Sequence, residues 1–438
     1  MEKEKINRGL FEFLDSSPCA LYAVENTAKK LDGAGFRRLY ESGEWELKPG
    51  GSYYVTRGGT AICAFRLPEG SRPRGYNITA SHSDSPTFRV KNDPELVASD
   101  GLVRINIEKY GGMILSTWFD RPLSVAGRVV VRTPEGAESR LVCVDRDLML
   151  IPSLAIHMDR QANDGRAFNV QDDMPPLFAS GCGRGELTRA VADAAGVAAD
   201  DILASDLYLY VREKASAFGA KGEFIASARL DDLECAYSSL EALLAARPKE
   251  SAAVHCVFDN EEVGSGTRQG AASDFLAVTL RRVTRALGGS EEDHLRALAS
   301  SFMVSADNAH AVHPAHAGKA DPVNRPVLNG GVVIKYSANQ KYTTDAVSGA
   351  IFRAVCERAG VPVQVFHNRS DMIGGSTLGN ISSAQLPVNT VDIGLPQLAM
   401  HSAYETAGAD DPAMLVRVLT EFYSLDIKAD GDGKYAIG

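Results

Sequence analysis

Acidic residues and histidines follow apolar runs at four separate places in the chain. The four segments are His82-Ser83-Asp84, Asp259-Asn260-Glu261-Glu262, Ser305-Ala306-Asp307-Asn308 and Met400-His401-Ser402. Zinc accepts histidine nitrogen and carboxylate oxygen, and a two-metal hydrolase also needs a bridging anion and a free carboxylate that activates water. The chain supplies this whole set of groups, so the residue types indicate a two-metal hydrolytic site.

His82 follows a strand-like apolar run, and Asp84 lies two residues later. A carboxylate so placed can accept a hydrogen bond from the second ring nitrogen and fix the tautomer of a metal-bound imidazole. A loop histidine beside an aspartate is also common without a metal. His82 is therefore a candidate ligand, with Asp84 as its orienting partner, only in combination with the other segments.

Glu261 and Glu262 directly follow a run that is expected to form a buried strand. Two adjacent carboxylates there would repel each other and lose hydration unless a cation compensated them. Adjacent residues at a strand end point in different directions, so one can bind a metal while its neighbour holds the attacking water. The alternative interpretation is an exposed acidic turn.

Three more candidate ligands lie in less specific patterns. Asp231 and Asp232 stand at the start of a predicted helix, where aspartate is also a favoured N-cap, and this pair can supply a bridging carboxylate. Asp307 ends the apolar run 301–306. His401 ends the run 391–400 and fits either a core histidine or a metal ligand.

The periodicity of apolar residues predicts the elements that position these groups. Helical and strand-like stretches alternate, which is typical of an α/β fold. Helices are predicted at 5–15, 22–34, 186–198, 231–247, 274–287, 345–360 and 411–424, and strands at 76–80, 252–258, 302–306, 361–365 and 390–393. Since sites in open α/β sheets gather at one set of strand ends, we expect the segments to meet at one edge of a mixed sheet flanked by helices.

The pattern changes between about residues 91 and 226, where short alternating stretches such as Gly127-Arg-Val-Val-Val-Arg132 predict a β-rich insertion. A chain of 438 residues is long for one core, so two domains or one domain with an insertion are expected. We predict a catalytic domain formed by residues 1–90 and 228–438. The inserted domain, residues 91–227, would serve assembly or access to the site.

Composition limits the partners and the compartment. The formal charge of −10 is offset by no basic run, so neither nucleic acid nor an anionic membrane is expected as a partner. No apolar run is long enough to predict a membrane span. The 7 cysteines include no CxxC pair and no secretory signal pattern is present, so reduced thiols and a cytoplasmic location are predicted.

The motifs, taken in chain order, resemble those of the M18 metallopeptidases, the aspartyl aminopeptidase family. The resemblance extends nearly from end to end and is carried by Ser17-Pro18, Thr79-Ala-Ser-His-Ser-Asp-Ser-Pro86, Trp118-Phe-Asp-Arg-Pro-Leu123 with Ala126-Gly-Arg128, Ile151-Pro-Ser-Leu-Ala-Ile-His-Met-Asp-Arg160, Arg229-Leu-Asp-Asp-Leu233, Asp259-Asn-Glu-Glu-Val-Gly-Ser265, Ser305-Ala-Asp307 with Ala309-His-Ala-Val-His-Pro314, Leu328-Asn-Gly-Gly331 and Gln397-Leu-Ala-Met-His-Ser402. Nine ordered motifs are far more specific than any one of them.

The resemblance implies a co-catalytic dizinc exopeptidase. His82 and Asp307 would hold one metal, Glu262 and His401 would hold the other, and Asp231 would bridge the two. Glu261 would be the general base. Mn²⁺ or Co²⁺ could replace Zn²⁺ in either position, since carboxylate-rich sites discriminate poorly among these ions.

The resemblance also implies two residues that act on the substrate. His157, in the predicted insertion, matches a family histidine that reaches a neighbouring subunit's active site and supports the substrate carbonyl. Lys335 matches the segment that supplies a cation to the pocket for the N-terminal side chain, which implies a preference for N-terminal Asp or Glu. Without the resemblance, Lys335 would be interpreted as a lysine at a strand edge.

We therefore expect a metal-dependent aminopeptidase that acts on peptides with a free N-terminus and assembles from dimers into a dodecamer. Some relatives accept neutral residues, so a broader specificity is one alternative. A second is a dinuclear amide hydrolase that ignores the α-amine, and a third is a non-catalytic shell that binds cargo. The intact set of Glu261 and five candidate ligands argues against the third alternative.

Overall fold

A computed structural model of the chain describes residues 2–70, 72–181, 183–429 and 433–438. The α-helices are α1 Glu2–Ser16, α2 Ala20–Gly33, α3 Glu186–Ala195, α4 Leu230–Ala245, α5 Phe275–Ala286, α6 Glu291–Ala299, α7 Ala346–Ala359, α8 Leu378–Gln385 and α9 Asp411–Ser424. Short 3₁₀ turns lie at Leu115–Trp118, Ala199–Asp201, Glu261–Val263 and Ala317–Lys319.

The strands, in chain order, are β1 Arg37–Leu39, β2 Ser52–Arg57, β3 Ala61–Arg66, β4 Tyr76–His82, β5 Thr87–Val97, β6 Leu102–Tyr110, β7 Leu123–Thr133, β8 Gly136–Cys143, β9 Leu177–Ser180, β10 Ile202–Val211, β11 Ser216–Phe218, β12 Phe224–Ser227, β13 Ala252–Phe258, β14 Phe302–Ala306, β15 Ala309–His310, β16 Val332–Tyr336, β17 Val363–His367, β18 Asn389–Gly394, β19 Pro396–Leu398, β20 Glu405–Gly408, β21 Ile427–Ala429 and β22 Tyr435–Ile437.

The largest sheet positions most of the candidate ligands. Its strand order over the described residues is β1-β2-β3-β13-β4-β14-β18-β16-β17. The neighbours β13, β4, β14 and β18 are parallel, so their carboxyl ends meet at one edge. His82 ends β4, Asp307 directly follows β14, and Glu261 lies just beyond β13. The predicted convergence at one sheet edge follows from this topology.

Helices cover both faces of this sheet. β13 is buried along its whole length, which explains why its sequence is apolar apart from His255. Ala253 and Val257 pack into a core shared with α4, α7 and α9. Val254 and Cys256 point to the other face, where they join side chains of α5 and α8. Cys256 is fully buried there as a small core residue.

An antiparallel sheet of strands β8-β7-β10-β5-β6-β9 extends from Thr87 to Val211. It has its own core, which includes Phe88, Trp118 and Val125. The strands β11 and β12 pair instead with β20, β19 and β15 in a further sheet. The antiparallel sheet supplies the β-rich region that the sequence predicts, while the division into two domains stays a prediction.

The α/β fold class is confirmed, but several element predictions need correction. The predicted helix 186–198 ends at Ala195, because Gly196 adopts a left-handed φ of 65° and caps the helix. The strand predicted at 361–365 lies at 363–367. Helices α6 and α8 were not predicted, because each is short and buries too few side chains to show a helical period. Among the described helices, none is both long and apolar enough to cross a membrane.

Candidate metal centre

The five candidate ligands lie together at the carboxyl edge of the large sheet. His82 Nε2 is 3.6 Å from Asp231 Oδ1 and 4.0 Å from Asp307 Oδ1. His401 Nε2 is 3.4 Å from Asp231 Oδ2 and 3.3 Å from Glu262 Oε1. The two oxygens of Asp231 therefore face different histidines. This geometry suits a carboxylate that is shared between two cations.

Three sets of potential ligand atoms each lie within 4.8 Å of one another. These sets are His82 with Asp231 and Asp307, Asp231 with Glu262 and His401, and His82 with Glu261 and Glu262. The first two sets share only Asp231, and neither of them needs Glu261. Glu261 belongs to the third set, so its carboxylate lies beside His82 and Glu262 and is available as a ligand or as a general base.

The start of α4 has an unusual backbone that presents the two aspartates. Arg229 has a left-handed φ of 61°, and Asp231 and Asp232 depart from helical geometry, with a cis peptide bond between them. Asp232 Oδ2 accepts a hydrogen bond of 3.1 Å from the main-chain N–H of His82. The two neighbours thus have separate tasks: Asp231 faces the histidines and Asp232 holds the main chain of one of them.

Glu405 links two candidate ligands that are far apart in sequence. Its carboxylate accepts the main-chain N–H of Asp231 at 3.0 Å and that of His401 at 2.7 Å. Glu405 is 2% exposed, so these bonds are shielded from water. Sequence reasoning missed this residue, because a single glutamate in Ser402-Ala-Tyr-Glu405 carries no local pattern.

Asp84 orients the glutamate pair as well as His82. Its Oδ1 accepts the main-chain N–H of Glu261 at 3.1 Å, and its Oδ2 accepts that of Glu262 at 3.2 Å. The acceptor nearest to His82 Nδ1 is the main-chain oxygen of Asp84 at 3.0 Å, whereas the carboxylate is 3.5 Å away. The Asp84 main chain thus fixes the imidazole, and its side chain mainly fixes the turn that carries the glutamates.

Two residues of the antiparallel-sheet region complete the surroundings of the site. The Tyr110 hydroxyl donates to Asp84 Oδ2 at 2.7 Å and accepts from Asn260 Nδ2 at 2.8 Å. His401 Nδ1 lies 2.6 Å from the main-chain oxygen of Gly112, so this nitrogen donates and Nε2 is left to bind a metal. The sequence reasoning assigned assembly, access and, through His157, a neighbouring subunit's site to this region, and it missed both contacts within the chain.

The site concentrates negative charge away from water. Burial raises the pKa of Glu262 to about 7 and that of Asp307 to about 6, although Lys335 lowers the latter. Burial lowers the pKa of His401, but the carboxylates of Asp231 and Glu262 outweigh it and raise the pKa to about 11. The raised pKa values of these carboxyl groups and of His401 show that the site favours the binding of positive charge, either protons or cations.

The donor set fits divalent metal ions. Buried Asp231 Oδ1 and Glu262 Oε1 have no hydrogen-bond donor among the described residues. An unpaired buried carboxylate oxygen is costly, and a cation would satisfy both atoms. Imidazole nitrogen combined with carboxylate oxygen is a ligand set that zinc accepts.

Lys335 and His157 lie in very different surroundings. Lys335, on β16, is buried, and its Nζ donates to the main-chain oxygen of Asp307 at 2.7 Å and lies 3.9 Å from Asp307 Oδ2. Burial lowers the pKa of Lys335, but the nearby carboxylates of Asp307 and Asp392 outweigh burial. The net effect raises the pKa, so the amine is charged. His157 lies on an exposed turn and is not part of the cluster within its own chain.

Comparisons with known proteins identify the family. The chain matches the family described as aminopeptidase I zinc metalloprotease (M18) over residues 13–423. It is 45% identical over 430 residues to a Clostridium novyi protein named probable M18 family aminopeptidase 2, with 97% of this chain and 99% of the relative covered.

Solved structures show the same fold. The structure of the Ape4 and Nbr1 complex matches with a TM-score of 0.92 at 35% identity, covering 96% of this chain and 86% of that chain. The S. cerevisiae mApe1 dodecamer matches with a TM-score of 0.85 at 27% identity, covering 97% of both chains. On its sequence and its fold alike, the chain belongs to the M18 family of zinc metalloaminopeptidases.

Proposed function

We propose that the protein removes N-terminal residues, with a preference for Asp and Glu, from peptides by a co-catalytic two-metal mechanism. The observation that carries this proposal is the pair of ligand sets that share Asp231 alone. His82 and Asp307 would hold one ion, Glu262 and His401 would hold the other, and Asp231 would be shared by both. The family description supports zinc as the metal.

Two bound divalent ions supply Lewis-acid chemistry, which polarises the peptide carbonyl and makes water a better nucleophile. Glu261 accepts a proton from the attacking water and delivers it to the leaving amine. Its main-chain N–H is held by Asp84, which fixes the turn from which the carboxylate projects. The protein thus contributes a positioned base together with the ligands.

Peptide hydrolysis by the metal-loaded Glu261→Gln variant tests the mechanism. We expect kcat to fall about a hundredfold or more with unchanged metal content, because the base is lost while the ligands remain. Wild-type enzyme should cleave free peptides and leave N-acetylated copies intact. Equal turnover of acetylated peptides would favour another amide hydrolase, and no turnover by wild-type protein with two bound metals would favour the non-catalytic shell.

The proposed acidic preference rests on Lys335. A charged amine at the edge of the metal cluster can pair with a substrate carboxylate, and the ring of Tyr342 supports it at 5.3 Å from Nζ. Lys335→Met should lower the ratio of kcat/KM for Asp-terminated over Leu-terminated peptides about tenfold or more. Lys221→Met, at an exposed loop position, is the matched control. An unchanged ratio in Lys335→Met would favour broad specificity.

We further propose that His157 acts in a neighbouring subunit within a dodecamer built from dimers. The exposed turn that carries it also exposes Leu154, Ile156 and Met158, the last at 75%. A partner subunit would cover such apolar side chains. The dodecamer reported for S. cerevisiae mApe1 supports the assembly.

Light scattering combined with kinetics tests the shared site. His157→Ala should lower kcat without changing the molar mass, because the side chain acts on substrate and not on assembly. Met158→Asp should lower both kcat and the molar mass, because it places a charge in the proposed interface between subunits. Full activity of a dissociated Met158→Asp protein would contradict the shared site.

Free thiols at the described cysteines support the proposed cytoplasmic location.

A further inference from the structure

A cavity of 270 Å³ lies between the large sheet with its helices and the antiparallel sheet. Its walls include Leu21 and Arg229 on one side, and Tyr110, Trp118 and Tyr208 on the other. None of the five candidate metal ligands lines it. The cavity therefore adjoins the metal centre, through Asp84 and Glu405, without including any of the candidate ligands.

Two of the three arginines on its walls are already paired. Asp206 accepts from Arg89 at 2.7 Å through Oδ1 and from Arg128 at 2.7 Å through Oδ2. One carboxylate thus serves two guanidinium groups. This trio has a net positive charge, and its only carboxylate is already shared, so none is left to pair with Arg229.

The remaining acidic groups on the walls have donors of their own. Asp84 is held by the Tyr110 hydroxyl and by two main-chain N–H groups. Glu405 accepts two main-chain N–H groups on the side of the metal ligands. Asp259 accepts the main-chain N–H of Asn260 at 2.7 Å. None of these carboxylates is within ion-pair distance of Arg229 among the described residues.

Arg229 is the cation without a carboxylate. Its Nε donates to the main-chain oxygen of Ser17 at 3.0 Å, and its Nη2 donates to that of Leu14 at 3.2 Å. Within the described part of the chain, Nη1 has no hydrogen-bond partner and no acidic side chain forms an ion pair with the group. Burial lowers the pKa of Arg229, which shows that its charge is poorly solvated. A bound anion would offset this cost.

Trp118 provides a second, independent donor. The indole is 4% exposed, and its Nε1 has no acceptor among the described residues. A buried tryptophan N–H usually has a partner, and this one lines the same cavity as Arg229. Pro86, Leu209 and Tyr208 supply flat or apolar wall between the polar groups.

We propose that this cavity binds a small organic monocarboxylate with a flat, apolar body. Arg229 pairs with the carboxylate, because its guanidinium group has no acidic partner among the described residues. Trp118 Nε1 donates to an oxygen of the ligand, and the body packs on the ring of Tyr208. The ligand also lies against Ser402 and Glu405, on the loop that carries His401.

Tryptophan fluorescence reports binding directly, because the chain has 2 tryptophans and only Trp118 lines the cavity. The protein is the metal-loaded Trp45→Phe enzyme and the probe is benzoate. We expect a saturable change in emission at roughly millimolar benzoate, the affinity expected for so small a ligand.

Two variants locate the probe. Arg229→Gln removes the charge, and Ala20→Phe fills the cavity from the first residue of α2 while keeping the charge of Arg229. Each, in the Trp45→Phe background, should raise the half-saturation concentration about tenfold or more. Ala194→Phe, on an exposed face of α3, is the matched control and should leave it unchanged. If Arg229→Gln fails to fold, the half-saturation concentration of Ala20→Phe still shows whether benzoate binds in the cavity.

Three results would overturn the proposal. The first is the absence of a saturable signal, which means that the cavity holds only water. The second is binding that both variants leave unchanged. The third is displacement of benzoate by a saturating Asp-terminated peptide in the Glu261→Gln enzyme, which means that the carboxylate binds at the metals. The assay measures benzoate binding by tryptophan emission and not by peptide turnover. Its result therefore does not depend on whether the enzyme prefers acidic substrates.

Discussion

His255 lies in the middle of β13 and is 0% exposed, with no charged partner. Its Nδ1 is 3.3 Å from the Thr79 hydroxyl, and its Nε2 has no hydrogen-bond partner among the described residues. Burial lowers the pKa of this imidazole to about 3. The folded protein therefore holds His255 neutral, whereas the unfolded chain titrates it at about 6.5.

The difference between the two pKa values predicts how stability depends on pH. The pKa of His255 is lower in the folded protein than in the unfolded chain. The contribution of the neutral imidazole to the free energy of unfolding is therefore fully present above about pH 6.5, and it is lost as the pH falls toward the folded pKa. Between about pH 7 and about pH 5, protonation of the unfolded chain at this one site should cost about 2 kcal/mol of unfolding free energy.

Equilibrium unfolding in denaturant at the two pH values measures this cost. His255→Gln keeps a polar side chain beside Thr79 but cannot titrate, so its stability should fall about 2 kcal/mol less than that of the wild type. His316→Gln, at an exposed loop position, controls for the loss of one imidazole. Protonation of the metal-site histidines cancels in the comparison. Equal losses in wild type and His255→Gln would refute the reasoning.

Three further outcomes are expected. Gly394→Ala should lower metal content, because a Cβ there would lie 2.1 Å from the main-chain oxygen of Asp307; Gly33→Ala, which meets open space, should leave metal content unchanged in the same elemental assay. Tyr110→Phe should lower kcat/KM about tenfold, because it removes a hydrogen bond to a buried carboxylate, and equal rates would contradict that role. Asp231→Asn should reduce binding at both metal positions in zinc titrations, and the loss of one ion alone would contradict bridging.

The candidate ligands could be predicted because their signals are local. Glu262 and Asp307 each come just after an apolar run, and parallel neighbouring strands bring such ends together. His82 belongs to the same arrangement. The apolar run of each strand thus marks the position in the sequence where the strand ends and a candidate ligand follows.

The residues that hold the ligands could not be predicted in this way. Glu405 bonds to a main-chain group 174 residues away, and Gly112 accepts from a ring 289 residues away. Such contacts depend on how whole elements pack, and no periodicity in the sequence marks them. The helices α6 and α8 were missed for a related reason: their positions depend on the packing of a few side chains and not on a long apolar stripe.

The contact between His401 and Gly112 joins the most C-terminal candidate ligand to the antiparallel-sheet region. Because the ligands extend in sequence from His82 to His401, the ribosome must release most of the chain before the set is complete. On the proposed assignment, a nascent chain that stops short of His401 lacks one ligand of the second metal position. Such a chain would be inactive, so completion of the ligand set late in synthesis would come before the assembly that brings in His157.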